Sequence, residues 1–161
     1  MIKILFICHG NICRSPMAAC LLRHLARERG LEGELYTDSA ATSREEIGAP
    51  MYPPARRKLK EAGVPIDGHR ARQMTREDYD SFDLLLAMDS ANVRNIIRIA
   101  GGDPEGKIRR LLDGTLRPRD IADPWYTGNF DDTYEDLLEG CTAVLEELTG
   151  EGKIRSAPVL P

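Results

Sequence analysis

Residues 8–15 read Cys-His-Gly-Asn-Ile-Cys-Arg-Ser, with Cys8 and Cys13 five positions apart and Arg14 and Ser15 directly after. Cysteines so placed offer three chemistries: a disulfide, part of a metal site, or a reactive thiolate. A disulfide between Cys8 and Cys13 would close a very small loop and remove little chain entropy. A zinc site needs two more ligands, and Cys20, Cys141, His9, His24 and His69 show no paired spacing with this segment. A nucleotide-type phosphate loop would end in Gly-Lys-Ser/Thr, and this one does not. A cysteine nucleophile in an anion cradle gives each residue a task. Gly10 and Asn11 tolerate positive φ, which lets successive N–H groups turn inward. Such a nest at a helix N-terminus attracts negative charge. Arg14 adds a planar fork able to grip two oxygens of one phosphate. The same field favours the thiolate of Cys8, the form that attacks. Ser15 can hydrogen-bond to that thiolate or to the leaving sulfur. Taken alone, Arg14 would be a surface cation and Ser15 a helix cap. The combination Cys8-x5-Arg14-Ser15 is what points to chemistry.

The flanking pattern says how this segment is positioned. Ile2 to Ile7 is short and apolar, as a buried strand requires. Pro16 suits the first turn of a helix, Met17, Leu21, Leu22 and Leu25 recur at helical spacing, and Gly30 ends the run. Further strands are expected at Glu34–Thr37, Phe82–Met88 and Ile108–Leu112, with a small-residue loop at 39–42. Helices are expected at Pro54–Ala62, after a Thr75/Asp78 capping box, and from a Ser90 cap to Gly101. Asp89 reads as a helix-start residue. A polar loop covers roughly 114–132, and a last helix carries Leu137, Leu138, Cys141, Val144, Leu145 and Leu148 on one face. Strands alternating with helices predict an α/β fold around a mainly parallel sheet. Ligands bind such sheets at the carboxyl ends of strands, and Cys8 sits at the first of these ends.

A chain of 161 residues fits a single domain spanning 1–161, with the tail after about Gly150 loosely held. A net charge of −4 argues against nucleic acid as a partner. Lys3 is followed by an apolar run too short for a signal peptide or a membrane span. The four cysteines do not form a secreted disulfide scaffold, so a reducing cytoplasm is the expected setting.

The sequence resembles the low-molecular-weight protein tyrosine phosphatase family. The resemblance rests on CHGNICRSPMAAC at 8–20, SAAT at 39–42, HRARQMT at 69–75, AMDSANVRNI at 87–96 and DPWYTG at 123–128, in the family's order and across nearly the whole chain. It implies one domain with a four-stranded parallel sheet flanked by helices on both faces, Rossmann-like and of the phosphotyrosine protein phosphatase I type. It implies hydrolysis of phosphotyrosine and aryl phosphates through a phosphocysteine intermediate, with no metal and no cofactor. By resemblance, Cys8 is the nucleophile, Arg14 binds the phosphoryl oxygens and Ser15 supports the thiolate. His9, Gly10, Asn11, Ile12 and Cys13 complete the substrate-binding loop, and Asn11 holds it through a polar network with Ser39 and His69. Asp123 is the general acid, and Trp125 and Tyr126 form an aromatic wall for the phosphotyrosine ring. Read from the residues alone, Asp123 is also a plain Asp-Pro turn residue, and Asp120 has the same formal chemistry. Only the ring surface of Pro-Trp-Tyr favours Asp123. His69 reads as a buried network histidine, Cys20 and Cys141 as core, and His24 has no assigned role.

His9 departs from the aliphatic residue common in the family, which bears on substrate preference at the cleft mouth. The resemblance also supports a redox role: an exposed thiolate is open to peroxide, and Cys13 could trap the resulting sulfenic acid as a disulfide with Cys8. Three competing readings share the scaffold or the binding mode. Thiol-relay arsenate reductases need more cysteines downstream, and none lies between Cys20 and Cys141. The arginine-directed phosphatases carry a threonine where this chain has Ile12. A non-catalytic phosphotyrosine-binding module would not need both Cys8 and Asp123.

Overall fold

The structure, a computed structural model, describes residues 1–155. Strand β1 (Ile2–Cys8) pairs in parallel with β2 (Leu35–Ala41) on one side and β3 (Leu84–Ala87) on the other, and β3 pairs with β4 (Ile108–Arg110). The sheet order is therefore β2-β1-β3-β4, all parallel. Ile4, Leu5, Phe6 and Ile7 of β1 are each 0% exposed, as expected for a strand covered on both faces. Side chains alternate between the two faces. Ile4 and Phe6 join a core with α1 (Arg14–Glu28), α2 (Pro53–Glu61) and α6 (Phe130–Gly150). Leu5 and Ile7 join a second core with α3 (Arg76–Ser81) and α4 (Ser90–Ala100). The chain moves from β1 to β2 on one side and then to β3 on the other, so the connections diverge above the carboxyl end of β1. That divergence opens the crevice in which such folds bind ligands.

Several boundaries differ from the sequence-based expectation. Ser39, Ala40 and Ala41 are strand, paired with Phe6, Ile7 and Cys8, where a small-residue loop is expected. Buried pairing with β1 overrides the weak strand preference of such residues. Helix α1 starts at Arg14, two residues before Pro16, whose missing N–H costs nothing within the first turn. The cap of α4 is Asp89, whose carboxylate accepts the Asn92 N–H; Ser90 is the first helical residue. Strand β4 stops at Arg110, and Leu111–Gly114 turns into a 3₁₀ helix. The expected long loop contains a one-turn helix, α5 (Pro124–Thr127). The tail begins where α6 ends at Gly150; Ile154 is buried in the core, and the rest of the tail, 156–161, lies outside the described residues.

Candidate active site

The segment between β1 and α1 wraps into a closed loop around the Cys8 sulfur. Asn11 has φ 60°, the single positive value among the described non-glycine residues, and Gly10 is not among the positive-φ glycines. The left-handed turn expected from both residues is thus made by Asn11 alone. It turns the Asn11 N–H inward to the Cys8 Sγ at 3.3 Å. Three further bonds hold Asn11 there. Its Nδ2 donates to Ser15 Oγ at 2.8 Å, its Oδ1 accepts the Arg72 N–H at 3.1 Å, and its carbonyl lies 2.7 Å from His69 Nε2. His69 is half-buried, not fully buried. Ser39, expected in this network, is buried in β2 and its N–H donates to Asp38; the Arg72 backbone takes the expected place.

Ser15 completes the inner relay. Its oxygen receives the Asn11 amide, which leaves its own hydrogen for the Cys8 Sγ at 2.9 Å. Arg14 lies beneath the loop with 3% of its side chain exposed. Its Nη1 donates to Asp89 Oδ2 and to the Ile121 carbonyl, both at 2.8 Å, and its Nη2 lies 3.4 Å from Asp123 Oδ2. Burial alone would lower the Arg14 pKa, but Cys8, Asp89 and Asp123 outweigh it and raise the value. The cation is therefore fixed as well as placed.

Asp123 caps α5, its Oδ1 accepting the Trp125 N–H at 3.0 Å, and its other oxygen faces the cleft. Asp120 is excluded from that position by its own bonds. Its Oδ1 accepts from the Ser90 N–H, the Ser90 hydroxyl and Arg110 Nη1 at 2.9–3.0 Å. Burial pushes its pKa up, but Arg110 and Ser90 outweigh this and lower it, so the group stays ionised. The cleft is lined by residues 8–14 together with Glu45, Glu46, Asp123, Trp125 and Tyr126. The Trp125 ring packs against Tyr52 with centroids 4.9 Å apart and the planes tilted by 54°. His9 Nε2 reaches across the mouth to Glu45 Oε2 at 3.0 Å.

Cys13 is buried near Cys8 as a free thiol. Burial, then the charges of Cys8 and Asp123, pushes its pKa up to about 12, so it stays protonated. Cys20 and Cys141 are buried in the core. His24 pairs with Glu28 on the surface of α1.

Sequence reasoning missed Asp89, Arg72, Tyr52, Glu45 and Glu46 as parts of this region. The first three act through contacts far along the chain. The pair of glutamates had one available signal, their position directly after the motif at 39–42.

A buried thiol that accepts the Asn11 N–H, a buried arginine and a carboxylate at one cleft make an arrangement suited to cysteine-dependent chemistry on an oxyanion ester. Residues 3–154 match the family described as low molecular weight phosphotyrosine protein phosphatase. The chain is 39% identical over 156 residues to the low molecular weight protein-tyrosine-phosphatase YfkJ of Bacillus subtilis, covering 96% of this chain and all of that one. It superposes on the crystal structure of YfkJ with a TM-score of 0.91 at 40% identity, over 94% of this chain and 96% of that one. The Drosophila arginine phosphatase crystal structure superposes with a TM-score of 0.83 at 30% identity, over 91% and 97% of the two chains. The chain belongs to the low molecular weight phosphotyrosine protein phosphatase family. It is accordingly a phosphatase of that family, built on a single domain.

Proposed function

We infer that the protein hydrolyses phosphotyrosine in proteins, and small aryl phosphates, by two in-line displacements at phosphorus. The observation that carries this reading is the single cleft holding Cys8, Arg14 and Asp123, with Arg14 between the loop and the carboxylate. On this reading the phosphoryl oxygens take backbone N–H groups of the loop at 9–14, of which that of Asn11 already points to the Cys8 sulfur, and the remaining N–H groups of Arg14. The Cys8 thiolate attacks phosphorus and forms the phosphocysteine. Protonated Asp123 gives its proton to the departing phenolate, whose pKa near ~10 makes it a poor leaving group unaided. In the second step the Asp123 carboxylate takes a proton from water as the water attacks phosphorus. The bond to sulfur breaks, and the Ser15 hydroxyl steadies the thiolate as it leaves. Trp125, Tyr126 and Ile12 supply apolar surface for the phenol ring.

The working compartment on this reading is a reducing cytoplasm, supported by four unpaired cysteines. Among the described residues no helix is long and apolar enough to cross a membrane. Two substrates separate the tyrosine-directed reading from the arginine-directed one: a phosphotyrosine peptide and a phosphoarginine peptide of the same sequence. Ile12 supports faster release of phosphate from the first. Cys8→Ser should abolish release while circular dichroism and melting stay close to wild type. Appreciable turnover by the variant would remove Cys8 from the nucleophile's role.

A further inference from the structure

Helix α2 holds Arg56, Arg57, Lys58 and Lys60 within nine residues, in a chain whose net charge is −4. Its buried side is Ala55 and Leu59. Pro53, Arg56, Arg57 and Lys60 lie at i, i+3, i+4 and i+7, so they form one stripe along the outer side. Lys58 is neutralised by Asp131 at 2.7 Å. Arg56, Arg57 and Lys60 are exposed, and no described residue forms an ion pair or hydrogen bond with their side chains.

The stripe borders a shallow groove with Ile66, whose apolar surface comes from Pro53 and Ile66. Arg57 also lines a second groove with Lys58, Glu61, Asp131 and the 127–130 segment, which follows directly on Trp125 and Tyr126 of the cleft wall; there Lys58 is paired with Asp131. The start of α2 is bound to the catalytic loop itself. The Tyr52 N–H donates to the Ile12 carbonyl at 2.8 Å, and the Tyr52 ring packs against Trp125 in a tilted contact. The stripe therefore begins one ring away from the site of chemistry.

We propose that Arg56, Arg57 and Lys60 are a docking surface for an acidic segment of the phosphoprotein substrate. The proposal rests on the phosphatase reading and extends it to substrate choice. Arg57 and Lys60 lie about 8 and 12 Å along the helix axis from Tyr52, at ~1.5 Å per residue. An extended peptide covers ~3.3 Å per residue, so the acidic residues fall about four or five positions from the phosphotyrosine once the Tyr52 ring is crossed. Direction is set by the rim. Glu45 and Glu46 repel an acidic residue placed over them, whereas the path across Tyr52 leads along α2 to Arg56, Arg57 and Lys60 in a groove without a carboxylate. Exposed charges act mainly on encounter and are screened by salt, with a Debye length of ~10 Å at 0.1 M.

The test compares kcat/KM for two phosphotyrosine peptides, one with glutamates four and five positions from the phosphotyrosine and one with serines there. Acidic positions are placed on either side in separate peptides. p-Nitrophenyl phosphate reports the chemistry alone. Wild type is expected to favour one acidic peptide about tenfold at low salt. High salt and the triple variant Arg56→Ala/Arg57→Ala/Lys60→Ala should each erase that preference, and Arg57→Glu should reduce it. Turnover of p-nitrophenyl phosphate and the melting temperature should stay unchanged in both variants. No acidic preference in wild type, or a preference that survives the triple variant, overturns the proposal. So does stripe-dependent binding to vesicles of anionic lipid without any peptide preference, which would assign the stripe to a membrane surface. Absence of p-nitrophenyl phosphate turnover in wild type would instead overturn the phosphatase reading, and this proposal with it.

Discussion

Arg14 Nη1 lies 2.8 Å from Asp89 Oδ2, and the other oxygen of the same carboxylate accepts the Asn92 N–H at 2.8 Å. One side chain thus caps α4 and holds the phosphate-binding cation. Asp89→Ala should remove both bonds and leave a buried guanidinium without its main partner. Breaking a buried pair by removing one member costs ~3–5 kcal/mol, and the partial exposure of Asp89 puts the expected loss near the lower end. Urea denaturation measures it. The Michaelis constant for aryl phosphate should rise in the same variant, because Arg14 loses its fixed direction. Asp89→Asn keeps one acceptor and turns an N–H₂ donor toward the other partner, so it should preserve either the α4 cap or the Arg14 contact and lose less than Asp89→Ala on that one count only.

Asp123→Ala should slow hydrolysis by ~10²–10⁴-fold when the leaving group is a tyrosine phenol. A strongly acidic phenol leaves without a proton, so its loss should be much smaller. Equal losses for the two leaving groups would show that Asp123 is not the acid. Asp120, held by Ser90 and Arg110, would then still lack a path to the cleft.

Hydrogen peroxide should inactivate the enzyme, and dithiothreitol should restore it. The Cys8 thiolate attacks one peroxide oxygen, the O–O bond breaks, and hydroxide leaves to give a sulfenic acid. The Cys13 sulfur then attacks the Cys8 sulfur, and the oxygen departs as water with the thiol's proton. At rest Cys13 is held protonated chiefly by burial, with the charges of Cys8 and Asp123 adding to it, and oxidation of Cys8 removes one of these smaller causes. Cys13→Ser should remain active but recover much less after the same exposure. Equal recovery, with no Cys8–Cys13 disulfide in the mass spectrum, would leave Cys13 a packing residue.

Gly140 marks a close approach between α6 and the turn at 111–114. A Cβ placed there would sit 2.5 Å from the Leu111 Cγ, closer than real atoms come. Gly140→Ala should therefore destabilise the fold by ~1–3 kcal/mol despite the better helix propensity of alanine. Thermal melting checks the sign: a stabilised variant would mean that Leu111 moves aside freely.

Much of the architecture was legible because its signals are local. The apolar run before Cys8 could only be a covered strand, and the leucines after Pro16 repeat at helical spacing. Ser39–Ala41 was misread because its small residues say loop, while their partners on β1 lie more than thirty positions away in the chain. The same separation explains the site. Cys8, Arg14 and Ser15 announce themselves within eight residues, but Asp89 and Arg72 act only through contacts made once the sheet is assembled. Between Asp120 and Asp123 the sequence offered only the ring surface of Pro-Trp-Tyr and the resemblance; the sheet and loops add that Asp120 is bound to Ser90 and Arg110, whereas Asp123 lines the cleft with Cys8 and Arg14.

Strand β1 lies between two hydrogen-bonded neighbours and two apolar cores, and its last residue carries the nucleophile. The amides of Ile4–Ile7 can meet solvent deuterium only when the whole sheet comes apart. In a denaturant series the decline of activity and the loss of the slowest-exchanging protons should trace one curve, with the catalytic group reporting on the deepest part of the fold.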